Sequence, residues 1–334
     1  MAEYIPPIAD LVSTEFPLEG FLPIPPAPEN FKSGFVGIVG RPNVGKSTLM
    51  NYLVGQKIAI TSSIAQTTRN RLRGILTTET GQIIFVDTPG IHKPHHQLGK
   101  VLVQNAERAI QGVDVVLFVV DGSTKAGNGD RYVVDILKRR QTPGILGINK
   151  IDAWQDVGAE ESRQSLDRAY VINSYQEIMP EGWQVCEFSA LTGDGLESLQ
   201  NLLFQQLAPG PYYYPPDLVT DQPERFIMGE LIREQIILLT REEIPHSVAV
   251  VIEQVEETPQ ITRILATIHV ERDSQKGIII GKGGLMLKSI GSAARQQIQK
   301  LIEGKVYLEV FVKVQPKWRQ SRFQLAELGY RVED

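Results

Sequence analysis

A glycine-rich stretch near the start of the chain has the residue types that a triphosphate site needs. Residues 40–47 read GRPNVGKS and lie between a β-branched run and an apolar helical pattern. The glycines allow backbone N–H groups to surround phosphate oxygens, and the start of the helix adds partial positive charge. Lys46 would contact the outer phosphates, and the Ser47 hydroxyl would bind Mg²⁺. The predicted nucleotide- and cofactor-binding residues of this loop are Asn43, Gly45, Lys46, Ser47 and Thr48.

A carboxylate and a glycine follow the next predicted strand, at the end of the run QIIFVDTPG. Asp87 can hold Mg²⁺ through water, and the Gly90 N–H can turn toward a γ-phosphate. Between this motif and the first loop lies TSSIAQTTRNR, where a threonine hydroxyl can complete the Mg²⁺ shell when the γ-phosphate is present. We expect this residue to be Thr68, with Thr67 as the alternative. The predicted catalytic residues are Lys46, Thr68, Asp87 and Gly90, and the predicted metal ligands are Ser47, Thr68 and Asp87.

Two further motifs indicate which base is bound. The sequence NKID at residues 149–152 ends another predicted strand. A carboxylate there can accept hydrogen bonds from N1–H and the 2-amino group of guanine, whereas adenine would leave it unpaired. After the last strand of the domain, a backbone N–H of the Ser189–Ala190 pair can contact the guanine oxygen. The predicted guanine-site residues, which favour GTP over ATP, are Asn149, Lys150, Asp152, Ser189 and Ala190.

The residue after the DTPG motif is Ile91, where Ras-like enzymes have a glutamine that orients the attacking water. Isoleucine cannot orient water, so we expect slow hydrolysis unless a backbone group, another ion or a partner assists. His92, His95 and His96 lie in the same loop, and a zinc site or a general base is an alternative for them. A mobile, solvated loop is the favoured interpretation.

A second glycine loop lies far from the first, where residues 280–284 read IGKGG. It has no Ser or Thr after its lysine and is therefore a poor triphosphate site. It matches the G-x-x-G loop of KH domains, which clamps about four nucleotides of single-stranded RNA. Residues 276–322 carry a net charge of +8, the sign expected of a nucleic-acid surface, although a solvated basic face is the alternative. The predicted RNA-binding residues are Gly281, Lys282, Gly283, Gly284, Lys288, Arg295, Lys313 and Lys317.

The elements that would position these residues fall into two predicted domains. Residues 1–33 are rich in proline and are predicted to be a disordered arm. Buried strands alternate with helices over residues 34–207, the pattern of a parallel sheet covered on both faces. Residues 208–222 are predicted to be a proline-rich linker. Residues 223–334 are predicted to contain a helix, two strands, the glycine loop, a helix ending at residue 303 and a final strand.

Composition excludes several other classes of protein. The net charge of -5 and the pI near 5.7 argue against a chain that coats nucleic acid indiscriminately. The longest apolar run, VVLFVV, is far shorter than the roughly 20 residues of a membrane helix. The single cysteine, Cys186, cannot form an internal disulfide, and the first 31 residues contain no Lys or Arg of a targeting signal. We therefore expect a cytoplasmic protein.

The order of these motifs resembles the Era family of ribosome-assembly GTPases over residues 35 to about 330. The matching segments are GRPNVGKSTLMNYLVGQKIAITS, QTTRNR, VDTPGIHKP, NKID, SAL, RFIMGELIREQI, EIPHSVAV, GIIIGKGGLMLKSIG and VYLEVFVKV. The resemblance implies an α/β Ras-like P-loop GTPase domain followed by a smaller α+β KH domain of type II.

The resemblance also implies activity and partners. These are hydrolysis of GTP to GDP with Mg²⁺, and binding of the 3′ end of small-subunit ribosomal RNA during assembly of the small ribosomal subunit. It further implies that a hydrophobic residue at Ile91 is normal and that Asn43 helps to hold K⁺. We also expect the protein to be a monomer and to contact the inner face of the membrane peripherally. A signalling GTPase with a protein- or membrane-binding C-terminal domain, and a purely structural C-terminal domain, are the alternatives.

Overall fold

The structure is a computed structural model that describes residues 24–62, 68–91, 97–139, 142–154 and 168–330. These residues form two sheets, each with its own hydrophobic core. The first sheet precedes the proline-rich stretch that begins after residue 207, and the second follows it. No helix in the described ranges is long and apolar enough to cross a membrane.

The first sheet has the strand order β2-β3-β1-β4-β5-β6. Its strands are β1 (Lys32–Val39), β2 (Leu72–Thr77), β3 (Gly81–Asp87), β4 (Val115–Asp121), β5 (Gly144–Asn149) and β6 (Gln184–Glu187). The helices described around it are α1 (Lys46–Val54), α2 (Gln97–Gln111), α3 (Asn128–Leu137), α4 (Arg168–Gln176) and α5 (Leu196–Gln206). Helices α1 and α5 pack on one face, and α2, α3 and α4 on the other. Burial on both faces explains why the strands are almost continuously apolar.

Strand β2 is missing from the prediction of a parallel sheet. It pairs antiparallel with β3, from Leu72 opposite Asp87 to Thr77 opposite Gln82, whereas the other five strands run parallel. A short turn joins β2 to β3, so no crossover helix is needed. Because its sequence LRGILT is short and contains arginine and glycine, periodicity alone does not reveal this strand.

The second sheet has the order β7-β8-β9, with β8 antiparallel to β7 and parallel to β9. Its elements are α6 (Glu224–Leu239), α7 (Ile244–Ser247), β7 (Ala249–Glu257), β8 (Ile261–Val270), α8 (Asp273–Ile280), α9 (Leu285–Ile298), β9 (Lys305–Val314) and α10 (Arg322–Glu327). Helices α6, α8 and α9 share one apolar core with the inner side of this sheet. The other side of the sheet carries the exposed rings of Tyr307 and Phe311.

Helix α8 is the main difference from the predicted order of the second domain. The β-branched run GIII before the glycine loop forms the end of this helix. β-Branched residues are not strong helix formers, but Ile279 is completely buried in the core, and such packing outweighs propensity. The glycine loop therefore connects two helices. Helix α9 also ends at Ile298, before the predicted end at residue 303.

The first strand begins inside the segment predicted to be an arm. Strand β1 starts at Lys32, and the ring of Phe31 is buried with its centroid 4.3 Å from that of Tyr212. Residues 1–23 lie outside the described residues, so the predicted disorder of that part stays a prediction. The predicted domain boundaries stay predictions as well.

The proline-rich stretch between the two sheets lies against the first sheet. The buried side chain of Gln82 on β3 accepts hydrogen bonds from the N–H groups of Tyr213 and Tyr214, at 2.8 and 3.0 Å. The same amide donates to the Tyr214 carbonyl oxygen at 2.9 Å. One side chain therefore satisfies three backbone groups of the linker and fixes the path from the first sheet to α6.

Replacing Gln82 with alanine should release the linker. The Gln82→Ala variant leaves partly buried N–H groups unpaired, so we expect the free energy of unfolding to fall by about 1–3 kcal/mol in urea denaturation. The matched control is Gln206→Ala, because the Gln206 amide makes only an exposed bond to Gln184; its effect should stay within about 0.5 kcal/mol. Equal effects of the two variants would show that the linker contacts do not stabilise the fold.

Candidate functional site

The phosphate loop follows β1 and leads directly into α1. Gly45 has φ +98°, and a Cβ added there would lie 2.2 Å from Nδ2 of Asn149, so only glycine fits. Lys46 begins the helix, and its Nζ donates to the carbonyl oxygens of Gly40 and Arg41 at 3.2 and 2.8 Å. Burial lowers the pKa of the Lys46 ammonium to about 8, against an opposing effect of nearby Asp87. A phosphate beside this amine would favour its charged form.

Three oxygen atoms meet where the sequence predicts the metal. Ser47 Oγ lies 2.8 Å from Thr68 Oγ1 and donates to Asp87 Oδ2 at 2.8 Å, and Thr68 Oγ1 lies 3.3 Å from the same carboxylate oxygen. Mg²⁺ binds oxygens at 2.0–2.1 Å in an octahedron, so adjacent ligands are roughly 2.9 Å apart. The second carboxylate oxygen, Oδ1, is buried without a hydrogen-bond partner among the described residues. These residues therefore fit Mg²⁺, directly or through water.

The DTPG motif lies directly against the phosphate loop. A Cβ added to Gly90 would lie 2.7 Å from the Pro42 nitrogen, so glycine is required there. The Ile91 N–H donates to the Gly40 carbonyl oxygen at 3.1 Å, and the Ile91 side chain is completely buried in the core. The side chain of Ile91 thus packs in the hydrophobic core and has no polar group that could orient an attacking water.

The remaining predictions for this loop concern residues outside the described ranges. These are Thr67, the alternative metal ligand, and the three histidines. Within the residues that the structure describes, no group of three or more His, Cys, Asp or Glu side chains could hold a metal ion.

Asn149 joins three loops of the predicted guanine site. Its Nδ2 donates to the Val44 carbonyl oxygen in the phosphate loop at 2.8 Å. Its Oδ1 accepts from the N–H groups of Lys150 and Ala190, both at 2.8 Å. The side chain is 2% exposed. Sequence reasoning assigned Asn149 to the base, and the structure adds that it sets the spacing between the loops around the base.

The carboxylate predicted to recognise guanine is held in place by a serine. Ser189 Oγ donates to Asp152 Oδ1 at 2.5 Å. Nearby, the Lys150 ammonium donates to Asp121 Oδ2 at 2.5 Å. Burial alone would raise the pKa of Asp121, but hydrogen bonds from Lys150 and Ser123 lower it overall. Sequence reasoning missed Asp121. It ends the buried strand VVLFVVD, just as Asp87 and Asn149 end theirs, and this position at the end of a strand could have identified it.

The second glycine loop has the backbone geometry of a tight connection between two helices. Gly281 ends α8 with φ +72°, and Gly283 and Gly284 have φ +59° and +78°. A Cβ at Gly281 would lie 2.7 Å from that of Met286, whereas the space around the other two glycines is open. A phosphate can therefore approach the loop backbone closely at the start of α9.

Apolar side chains flank this glycine loop. Ile278 is 52% exposed on one side of it and Leu285 is 66% exposed on the other. Of the predicted RNA contacts, Lys282, Lys288 and Arg295 are exposed on the loop or on α9. An apolar surface next to exposed cations can receive both the bases and the phosphates of a single strand.

The structure does not place the other two predicted RNA contacts with this loop. Side chains alternate along β9, and Lys313 lies on the exposed side with Tyr307 and Phe311, opposite the side that packs against the helices. Lys317 has φ +57° and precedes Trp318, which is buried in a different cluster. The basic segment therefore divides between two sides of the domain, a division that residue spacing in the sequence did not reveal.

Changing the carboxylate at position 152 should change the base that is bound. In Asp152→Asn the amide presents a donor to the donors of guanine, so we expect GTP affinity to fall about 100-fold or more. Xanthosine triphosphate has a carbonyl in place of the 2-amino group and should bind the variant better than GTP. Asp194→Asn is the control, since Asp194 is an exposed carboxylate bonded to Thr192. Titration of fluorescent nucleotide analogues measures the affinities of both variants for GTP and for xanthosine triphosphate. An unchanged preference of Asp152→Asn for GTP would show that Asp152 does not recognise the base.

Comparison with protein families assigns both parts of the chain. Residues 35–150 match the model of the 50S ribosome-binding GTPase family, and residues 243–319 match the model of the KH domain. The chain is 70% identical over 318 residues to "GTPase Era" of a Nostoc species, covering 95% of each chain. It is 68% identical to "GTPase Era" of Rippkaea orientalis, covering 93% of this chain and 96% of the relative.

Solved structures agree with this result. The crystal structure of Aquifex aeolicus Era bound to GDP and aluminium fluoride is 37% identical, with a TM-score of 0.84, covering 90% of this chain and 99% of the other. The structure of Era in complex with MgGDPNP and nucleotides 1506–1542 of 16S ribosomal RNA is 38% identical, with a TM-score of 0.83 and the same coverage. The predicted fold class, a Ras-like GTPase domain followed by a KH domain, is confirmed. With a nucleotide site, a KH domain and these relatives over most of its length, the chain belongs to the Era family of GTPases.

Proposed function

We propose that this protein hydrolyses GTP and uses the nucleotide state to control binding of its KH domain to the 3′ end of small-subunit ribosomal RNA during small-subunit assembly. One observation carries the proposal. The same chain has oxygens of Ser47, Thr68 and Asp87 converging as Mg²⁺ ligands would, and an open glycine loop between two helices. The Era structure with MgGDPNP and 16S ribosomal RNA has both kinds of ligand.

The residues of the first site divide the work of hydrolysis among them. Lys46 neutralises the outer phosphates, and the hydroxyls of Ser47 and Thr68 hold the metal with Asp87. When bound, Mg²⁺ draws electron density from the phosphate oxygens and stabilises the charge that develops there. The Gly90 N–H would donate a hydrogen bond to the γ-phosphate, a contact that is made with GTP and lost with GDP. Hydrolysis then depends on positioning and charge rather than on a side-chain base.

The second site supplies the RNA contacts. The glycine loop lets the sugar-phosphate backbone approach closely, Lys282, Lys288 and Arg295 neutralise phosphates, and Ile278 and Leu285 contact the bases. Binding of this kind weakens as the salt concentration rises, because each neutralised phosphate releases counterions. The RNA partner and the small ribosomal subunit are thus bound through the KH domain.

A cytoplasmic location is part of the proposal. Cys186 is buried, and burial raises the pKa of its thiol to about 11, which keeps the thiol protonated and unreactive. A single inert thiol suits a reducing compartment. Peripheral association with the inner face of the membrane and the monomeric state stay predictions.

A charge placed in the glycine loop should weaken RNA binding strongly. In Gly283→Asp the carboxylate repels the phosphates, so we expect affinity for a fragment of the small-subunit RNA 3′ end to fall about 100-fold, with a smaller salt dependence. Gly182→Asp is the matched control, because Gly182 also has positive φ, open surroundings and an exposed position, but lies in the GTPase domain. Binding is measured by fluorescence anisotropy, once with a non-hydrolysable GTP analogue and once with GDP.

The outcomes of that measurement separate the alternatives. Loss of affinity in the first variant alone, with tighter binding of wild-type protein in the GTP analogue, supports the switched clamp. Equal RNA affinity with both nucleotides would show that the nucleotide state does not control RNA binding. Unchanged RNA affinity in Gly283→Asp would make the loop a structural turn, and a signalling GTPase would become the better interpretation.

If K⁺ assists hydrolysis through Asn43, the rate should depend on the alkali cation. Hydrolysis should be about tenfold faster in K⁺ than in Na⁺ at equal ionic strength, since an ion beside the phosphates stabilises developing charge. Asn43 has φ +66°, so Asn43→Gly removes the side chain without straining the backbone and should erase the difference. Asn30→Gly is the control, with φ +63° at a position away from the site. Equal wild-type rates in both salts would contradict the role of K⁺.

A further inference from the structure

Arg69, the residue directly after the predicted metal ligand Thr68, extends out of the GTPase domain. Its Nη1 donates to the Val248 carbonyl oxygen at 2.6 Å, and its Nη2 to the Pro245 carbonyl oxygen at 2.9 Å. Pro245 lies in α7 of the KH domain, and Val248 joins α7 to β7. The arginine side chain is 1% exposed. Arg69 belongs to the stretch TSSIAQTTRNR at residues 61–71, the first switch segment, and is therefore a residue of this segment buried in the other domain.

Two aromatic rings complete the surroundings of this guanidinium. Its central carbon lies 6.0 Å from the ring centroid of Trp318 and 5.8 Å from that of Tyr330. The two rings stack on each other with centroids 5.8 Å apart, and Trp318 Nε1 donates to the Ser247 carbonyl oxygen at 3.0 Å. Planar cations are held well by such faces, and a lysine would not match two carbonyl oxygens and two rings together.

The Arg69 guanidinium is held by uncharged groups. Its acceptors are neutral carbonyl oxygens, while the nearby Glu230 carboxylate pairs with Arg233. Burial lowers the pKa of the Arg69 guanidinium, with Arg233 acting in the same direction. A buried cation with neutral partners is stable only while those partners stay in place. Withdrawal of the KH domain would thus change the surroundings of Arg69 completely.

The other described flank of the switch segment is also held by the KH domain. The Thr61 N–H donates to Oε1 of Glu234 on α6 at 2.9 Å, and Lys57 Nζ donates to its Oε2 at 2.6 Å. The Glu234 side chain is only 2% exposed. Contacts at Thr61 and at Arg69 therefore bracket residues 63–67 on both sides.

Helix α2 follows the loop that contains the DTPG motif and Ile91, the second switch segment, and packs against the same aromatic pair. Leu98 and Leu102 of this helix belong to one buried cluster with Trp318, Leu325 and Tyr330. Arg69 and helix α2 thus meet at one surface of the KH domain, formed around Trp318 and Tyr330. A conformational change in either segment on binding a γ-phosphate would alter the contacts at that surface.

We propose that Arg69 is a positioning residue for GTP hydrolysis: the KH domain holds its guanidinium, and this contact places Thr68 at the metal site. The inference rests on the proposed role of Thr68 as a metal ligand. Adjacent residues are joined by a rigid peptide unit, so anchoring one restricts the other. Coupling of this kind is reciprocal, so GTP that orders Thr68 also favours the docked KH domain.

Hydrolysis by Arg69→Ala tests the inference. We expect single-turnover hydrolysis at saturating GTP to slow about tenfold or more, because a misplaced ligand loses the geometry that the reaction needs. The Mg²⁺ concentration for half-maximal rate should rise. Affinity for GDP should not change, because we expect Thr68 to join the metal shell only when a γ-phosphate is present. Arg131→Ala is the matched control, an exposed arginine on α3 in the GTPase domain, and should hydrolyse like wild type.

Two further variants keep the test decisive if Arg69→Ala folds poorly. Arg69→Lys retains the charge but cannot bind both carbonyl oxygens, so we expect only partial recovery of the rate. Trp318→Leu changes only the KH domain, yet should slow hydrolysis in the same direction. The double variant Arg69→Lys/Trp318→Leu should be less impaired than the product of the two single effects, since both disturb one contact. Thermal unfolding curves check that each variant is folded.

The outcome for Thr68→Ala separates failure of the inference from failure of the proposed function. If Thr68→Ala hydrolyses GTP normally, the proposed metal site is wrong. If Thr68→Ala is impaired while folded Arg69→Ala and Trp318→Leu match Arg131→Ala, the metal site stands and the positioning role of Arg69 is overturned. A fall in GDP affinity equal to the fall in rate would indicate general damage to the site and would also overturn it.

Discussion

The carboxyl ends of the parallel strands β1, β3, β5 and β6 meet at one edge of the first sheet, and the rest of the nucleotide site depends on this arrangement. No single loop could bind a nucleotide, because phosphate, metal and base contacts come from five separate stretches of chain. The side chain of Asn149 shows how the loops at this edge depend on one another. Its buried amide ends β5 and links the loop after β1 to the loop after β6. The sheet brings the loops together, and this side chain sets the distances between them.

The two domains are connected by more than a linker. The proline-rich stretch is fixed to the first sheet through Gln82 and through an ion pair of Arg73 with Asp221 at 2.5 Å. Glu234 on α6 and the buried Arg69 add contacts at the two flanks of the first switch segment. The contacts of Gln82 and Arg73 fix the linker, whereas those of Glu234 and Arg69 join the stretch of chain around Thr68 to the KH domain. The domain contacts therefore reach the residue next to a predicted metal ligand.

The charge of the KH domain is less uniform than its sequence indicates. The basic segment has a net charge of +8 in a chain of net charge -5. Arg319 pairs with Glu271, and Lys313 lies on the sheet surface away from the helices. The positive charge available near the glycine loop is therefore carried mainly by Lys282, Lys288 and Arg295. Partial neutralisation elsewhere lets the chain bind one region of RNA without attracting nucleic acid over its whole surface.

The sequence alone determined the motifs, the two fold classes and the family, because each depends on residues close together in the chain. A phosphate loop needs glycines, a lysine and a hydroxyl at fixed short spacing, and this spacing is directly visible in the amino-acid sequence. Strand β2, the linking role of Asn149 and the burial of Arg69 were decided only by tertiary structure. All three depend on partners more than 10 residues away or on a neighbouring strand, for example the 179 positions between Arg69 and Val248. Sequence patterns report local periodicity, whereas the partner of a buried polar group is chosen by the packed fold.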